Sequence, residues 1–254
     1  MKTDIYSSLA ENRHSGRKSF AVLIDPDKIE GESACMRIVN MSIENQVDYF
    51  LVGGSLITGN NFGRVVQLIK ENTDIPVVIF PGSSMHIEST ADAILFLSLI
   101  SGRNPDLLIG QHVVAAPVLK RSNLEVLPTG YMLINSGQQT TVSYMSNTTP
   151  IPHDKTSVAA CTAIAGEMLG LKLIYMDAGS GAEVPVSSKM INMVRKAVDI
   201  PLIVGGGINH AHKSARAYES GADMIVIGNG IEKNPALLIE VAELTNRYNQ
   251  QQKV

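Results

Sequence analysis

The chain has little of what would mark a secreted, metal-stapled or nucleic-acid-binding protein. It holds two cysteines, no tryptophan, seven tyrosines and five phenylalanines in 254 residues. Cys35 and Cys161 lie far apart and in no metal-ligand spacing. That argues against a disulfide framework and suits a reducing cytoplasm. Neither sign of charge dominates: 21 basic against 24 acidic residues leave a net charge of −3. No basic face for nucleic acid follows from bulk charge. No apolar run approaches the roughly 18 residues needed to span a bilayer. The leading MKTDIYSSLAENRHSGRKSF has no apolar core of a signal peptide. The expectation is a soluble, cytoplasmic protein without a transmembrane segment, and a lipid substrate stays admissible.

What is present is a repeated pattern of short apolar runs that end in glycine, carboxylate or hydroxyl residues. After a polar leading helix and turn over residues 1–19, the expected strands are Phe20–Ile24, Tyr49–Val52, Pro76–Phe80, Ala93–Leu97 and Gly130–Ile134. Three more follow in LIYMDAGSG from Leu173, PLIVGGGI from Pro201 and MIVIGNG from Met224. Helical patterns fall at Ser33–Asn45, Asn61–Glu71, Leu107–Lys120, Ser157–Leu169 and Pro235–Tyr248. His86–Asp92 reads as helical in part, Ser98–Pro128 as less regular, and Gln138–Asp154 as a loop. Apolar runs of this length read as strands buried on both faces, and their alternation with helices predicts a parallel sheet. Eight units in one chain predict a single-domain (β/α)8 TIM barrel over residues 1–254. An open doubly wound sheet is the alternative, but no GxGxxG follows an early strand. In a barrel the active groups stand at the C-terminal ends of the strands.

The strand ends supply the candidates. Asp25 of DPDK directly follows the first strand, where its carboxylate suits a hard cation such as Mg²⁺ and Lys28 can meet a diphosphate. Asp-Pro-Asp is also ordinary turn chemistry, and both readings stand on sequence. Gly53-Gly54-Ser55 offers close backbone approach and a hydroxyl for a metal or phosphate oxygen, or simply a helix cap. Tyr175 and Asp177 are two apart and so share one strand face, with Asp177 at the rim as a general base. The glycine turns after strands six to eight together form a phosphate cradle, the usual place for one in such barrels. The six histidines form no zinc pattern, and His210 and His212 read as surface residues at a helix start.

The order LIDPDK, LVGGS, IFPGS, YMDAGSGAEVPV, IVGGGI and VIGNGIE, from about Phe20 to about Glu240, resembles the geranylgeranylglyceryl phosphate synthase family and its heptaprenylglyceryl relatives. The resemblance implies a (β/α)8 prenyltransferase, often with one helix replaced by irregular chain. Its reaction joins the 3-hydroxyl of sn-glycerol 1-phosphate to a prenyl diphosphate, commonly geranylgeranyl diphosphate, with Mg²⁺ as cofactor and diphosphate released. It places the metal on Asp25 and Ser55. It places glycerol phosphate on Tyr175, Met176, Asp177, Ala178, Gly179, Ser180 and Gly181, then on Gly206 and Gly207, then on Gly228 and Asn229. Asp177, Tyr175 and Lys28 are the catalytic expectation. A homo-oligomer is implied, as is peripheral membrane contact for the lipid product. One departure stands out: the family commonly has YLEAGSG, so Asp177 is shorter by one methylene. The segment SGRNPDLLIGQH resembles the family's region beside the prenyl groove. A sugar-phosphate isomerase or aldolase would instead need a Schiff-base lysine or a base pair at the ends of inner strands, and neither Lys172 nor Lys120 is well placed. A non-catalytic phosphate- or lipid-binding barrel is the third reading.

Overall fold

The structure, a computed structural model, describes residues 4–228, 230, 231 and 234–251. Eight parallel strands close into a barrel in sequence order, each paired to the next and β8 back to β1. They are β1 Ser19–Ile24, β2 Tyr49–Gly53, β3 Val77–Phe80, β4 Ala93–Leu99, β5 Glu125–Leu133, β6 Leu173–Asp177, β7 Leu202–Gly205 and β8 Met224–Ile227. The helices are α1 Ile5–Ser15, α2 Glu32–Glu44, α3 Phe62–Asn72, α4 Gln111–Arg121, α5 Thr141–Met145, α6 Thr156–Met168, α7 Ser188–Arg195 and α8 Ala211–Glu219, with a closing helix Ala236–Gln251. The fold is a (β/α)8 barrel. Strand alternation divides the core in two. Leu51, Val78, Leu95, Leu127, Leu173 and Ile203 fill the interior, while the alternate residues pack against the helices. Ile5 and Leu9 of α1 belong to the interior cluster, so α1 plugs the N-terminal end.

Four expectations are corrected. The β3–β4 connection carries no helix over His86–Asp92. Among the described residues this is the one barrel helix that irregular chain replaces. β5 begins at Glu125 rather than Gly130, because Pro128 and Gly130 read as breakers yet lie within its pairing with β4. A π-helical turn, Asp106–Gly110, leads into α4. The expected loop 138–154 contains α5, because Thr140 and Ser143 form a reciprocal capping box there. The Ser and Thr content that reads as loop is the same chemistry that starts this helix.

Small residues let α6 lie close to the barrel. Ala159, Ala160, Ala163 and Gly166 face inward. A Cβ on Gly166 or on Gly130 would come within 2.9 Å of Ile100 Cδ1. At the N-terminal rim, Asp48, Asp92 and Asp223 each precede a strand and accept an N–H from the first or second residue of the previous strand: Phe20 at 3.0 Å, Val77 at 2.8 Å and Leu202 at 2.9 Å. Each also holds a cation, namely Arg17 at 2.7 Å, Lys70 at 2.9 Å and Arg195 at 2.8 Å. That face serves stability.

Candidate active site

At the opposite rim, β6 delivers Asp177 to the barrel mouth with its side chain turned inward, 7% exposed. Its Oδ2 accepts the Tyr131 hydroxyl at 2.6 Å, and its Oδ1 accepts the Gly179 N–H at 2.8 Å. Burial pushes the Asp177 carboxyl above the ordinary carboxylate range, and these two bonds partly oppose that. A carboxylate so placed takes up a proton more readily than one in water. Tyr175 lies below it on the same strand face, 1% exposed, with its ring 5.3 Å from Phe80 and 5.6 Å from Tyr131. Burial holds the phenols of Tyr131 and Tyr175 protonated, well above their usual range.

The glycines expected as a phosphate cradle pack tightly on this group. Gly206 has φ +77°, and a Cβ there would lie 2.5 Å from Asp177 Oδ1 and 2.6 Å from the Ala178 nitrogen. A Cβ on Gly205 would lie 2.5 Å from the Tyr175 hydroxyl. Glycine after β7 is thus required by the close approach of the β6 and β7 turns, whatever ligand they hold.

Across the mouth, the carboxylate of Asp25 takes the Lys28 ammonium at 2.8 Å on Oδ2 and the Asp27 N–H at 3.2 Å on Oδ1. Lys28 Nζ also reaches Ser180 Oγ at 3.3 Å, so it ties the β1 turn to the β6 turn. A Cβ on Gly54 would meet the Asp25 carboxylate at 3.3 Å, which brings the Gly54-Ser55 turn alongside it. Asp27 does something else: it accepts Thr58 N at 2.6 Å, Thr58 Oγ1 at 2.9 Å and Gly59 N at 3.0 Å. The backbone bond from Thr58 leads in holding its carboxyl below the usual range. The first aspartate of DPDK faces the mouth and the second is turn chemistry, fixing the β1 turn to the β2 turn.

The PcrB family model matches residues 12–245. The chain belongs to this family. Relatives called geranylgeranylglyceryl phosphate synthase include one from Spirosoma linguale, 58% identical over 95% of this chain and 97% of that one. Another, from Chitinophaga pinensis, is 52% identical over 96% of each. A crystal structure of (S)-3-O-geranylgeranylglyceryl phosphate synthase from Thermoplasma acidophilum with sn-glycerol-1-phosphate superposes with a TM-score of 0.89, at 32% identity, covering 95% of this chain and 98% of that one. The motif resemblance is therefore a membership, and the protein is an enzyme of the prenyltransferase class.

Within this PcrB barrel, the structure gathers Tyr175, Asp177, Ala178, Gly179, Ser180, Gly181, Gly206 and Gly207 around the ends of β6 and β7, with Gly228 following β8. Asn229 lies outside the described residues. Met176 is fully buried in the layer between strands and helices, so its side chain faces away from the mouth. Asp25, Lys28 and Ser55 lie on the turns after β1 and β2. Lys172 stands at the other end of the barrel, 5.7 Å above the Tyr6 ring of α1, and Lys120 is exposed on α4, so neither serves as a Schiff-base lysine. His210 and His212 are exposed at the start of α8, as expected. Sequence reasoning missed Tyr131. The signal was there: Tyr131 and Leu133 alternate within GYMLI, the parity that also places Tyr175 and Asp177 inward, and Tyr131 pairs with Tyr175 across the β5–β6 rung.

Proposed function

We propose that this chain joins the 3-hydroxyl of sn-glycerol 1-phosphate to C1 of a prenyl diphosphate, geranylgeranyl diphosphate first among them, with Mg²⁺ as cofactor. The observation that carries the reading is Asp177: a buried carboxylate at the end of β6, gripped by neutral donors, inside the glycine turns that suit a phosphate. The likeness to a barrel solved with sn-glycerol-1-phosphate supports the choice of acceptor.

The residues then divide the work. The turns at Ser180–Gly181 and Gly206–Gly207, with Gly228 and Asn229, hold the glycerol phosphate and fix its free hydroxyl near the prenyl carbon, while the Gly179 N–H stays on Asp177. Asp177 takes the hydroxyl proton as the new C–O bond forms and the bond from C1 to the diphosphate oxygen breaks. Tyr131 holds the carboxylate in place, and Tyr175 supports it from below. Lys28 meets the diphosphate with a positive charge. Among the described residues no group of three or more His, Cys, Asp or Glu side chains is arranged to hold a metal ion. One carboxylate, Asp25, with Ser55 on the neighbouring turn is a sparse donor set, which fits an ion carried mainly by substrate phosphates. Charge on the departing diphosphate is what Mg²⁺ neutralises when bound.

The test is incubation with Mg²⁺, labelled sn-glycerol 1-phosphate and a ladder of prenyl diphosphates, with products resolved by mass. An ether-linked prenylglyceryl phosphate is expected, and its yield against chain length gives the preferred donor. Absence of ether product at every chain length would overturn the proposal. Loss of Mg²⁺ dependence in Asp25→Ala would support Asp25 as the ligand, and retained dependence would remove it.

A further inference from the structure

The turn after β1 carries its own counter-ion. Lys28 Nζ lies 2.8 Å from Asp25 Oδ2, and the pair is partly exposed, with the lysine side chain 38% and the aspartate 15% accessible. The other Asp25 oxygen is engaged by the Asp27 N–H. The backbone here is pinned: Lys28 N donates to Asp25 O at 3.0 Å, and Asp27 is clamped by Thr58 and Gly59. What can move is the lysine stem, which places its ammonium between Asp25 and Ser180 Oγ, the two walls of the mouth.

We infer that Lys28 is an exchangeable counter-ion: it holds Asp25 while the site is empty and passes to the diphosphate when Mg²⁺ arrives with that ligand. The inference rests on the reading of Asp25 as the metal ligand. Its physical basis is that a single carboxylate already paired to an ammonium offers a divalent ion too little to displace both the lysine and the ion's own water. A ligand that brings phosphate oxygens changes the balance, since it supplies further ligands for the ion and an anion for the lysine. Metal binding is thereby made conditional on the diphosphate, and the ammonium leaves Ser180 as the second anion's site fills.

The experiment is titration calorimetry with Mg²⁺ alone and with inorganic diphosphate, the latter with and without Mg²⁺, on the wild type, Lys28→Met and Lys28→Arg. For the wild type, Mg²⁺ alone is expected to show no tight binding, and diphosphate to bind only with Mg²⁺. Lys28→Met should shift the two affinities in opposite directions. Mg²⁺ alone should bind roughly 2- to 5-fold more tightly, because one partly exposed ion pair no longer competes. Diphosphate with Mg²⁺ should bind roughly 10- to 100-fold more weakly, because a charge-assisted bond is lost. Lys28→Arg keeps the cation and should stay near the wild type, which separates charge from folding. Tight binding of Mg²⁺ alone to the wild type, or a Lys28→Met variant in which Mg²⁺ alone binds no better, would overturn the inference and leave the proposed function standing. Failure of diphosphate to bind the wild type even with Mg²⁺ would overturn both.

Discussion

Replacing Tyr131 by phenylalanine isolates one bond at the centre of the site. The hydroxyl donates to Asp177 Oδ2 at 2.6 Å in a fully enclosed position, while the ring packs on Phe80 at 5.9 Å and Tyr175 at 5.6 Å. Phenylalanine keeps the ring contacts, so the change removes the bond and little else. A hydrogen bond to a charged group contributes about 1.5–3 kcal/mol. At about 2–4 °C per kcal/mol for a chain of this size, that is a fall in Tm of about 3–12 °C. The loss should depend on pH, and its sign can be worked out. Burial raises the Asp177 pKa in the folded state and the Tyr131 bond opposes that rise. A group raised on folding contributes stability below its unfolded pKa and loses that contribution as pH climbs through its folded pKa. Removing the opposing bond raises the folded pKa further. The variant should therefore lie close to the wild type in acid and diverge from it towards neutral pH. In kinetics the same change moves the acid limb of kcat/KM to higher pH, with turnover lowered roughly 10- to 100-fold by loss of positioning. Calorimetric Tm measured across the pH range, with the rate profile beside it, checks both. A Tm difference that is constant with pH, or an acid limb that stays in place, would refute the argument that Tyr131 works through the charge on Asp177.

Asp177→Asn should lower turnover roughly 10²- to 10⁴-fold by removing the base, and glycerol phosphate affinity measured by calorimetry should stay nearly intact. Because burial disfavours the Asp177 charge, the same substitution should raise Tm at neutral pH, and unchanged turnover would remove Asp177 as the base. Gly206→Ala forces a side chain into a left-handed conformation, at about 1–2 kcal/mol, and onto Asp177 Oδ1, so both Tm and activity should fall. Gly137→Ala is the control: φ is +89° but no atom lies within 4 Å, so a small loss of Tm with activity retained is expected. At the other rim, Asp92→Ala leaves Lys70 and the Val77 N–H without this carboxylate and should cost about 3–5 kcal/mol in denaturant unfolding, with kcat/KM unchanged below the transition.

The barrel was legible because its strands are short β-branched runs that end where the chemistry sits. Asp25, Asp177 and the glycine turns could be named from that rule alone. What was not legible depends on register. Tyr131 reaches Asp177 because β5 pairs Tyr131 with Tyr175 and Leu133 with Asp177; the parity within GYMLI was readable, but this pairing offset between the strands was not. The two aspartates of DPDK look equivalent in the chain. Their division follows from the Thr58-Gly59 turn, about thirty residues on, which captures the second. The rim aspartates at Asp48, Asp92 and Asp223 were readable in principle, since VDYFLV, ADAILF and ADMIVI each set an aspartate immediately before an apolar strand.

Those aspartates also show how one residue type is given three different tasks. At the N-terminal rim, Asp92 and Asp223 each hold a full cation and a strand N–H, contacts that tie strand ends to helices. Asp177 is held by a phenol and an amide, donors that orient it while burial keeps it ready to take a proton. Asp25 holds a cation on a long, partly exposed stem that can leave. On the proposed reading, the bonding partner goes with structure for the first pair, with proton transfer for Asp177, and with a lysine that exchanges onto an incoming anion for Asp25. A variant that moved a lysine beside Asp177 should accordingly abolish turnover while stabilising the fold, because it would give the base the partner that the N-terminal rim reserves for structure.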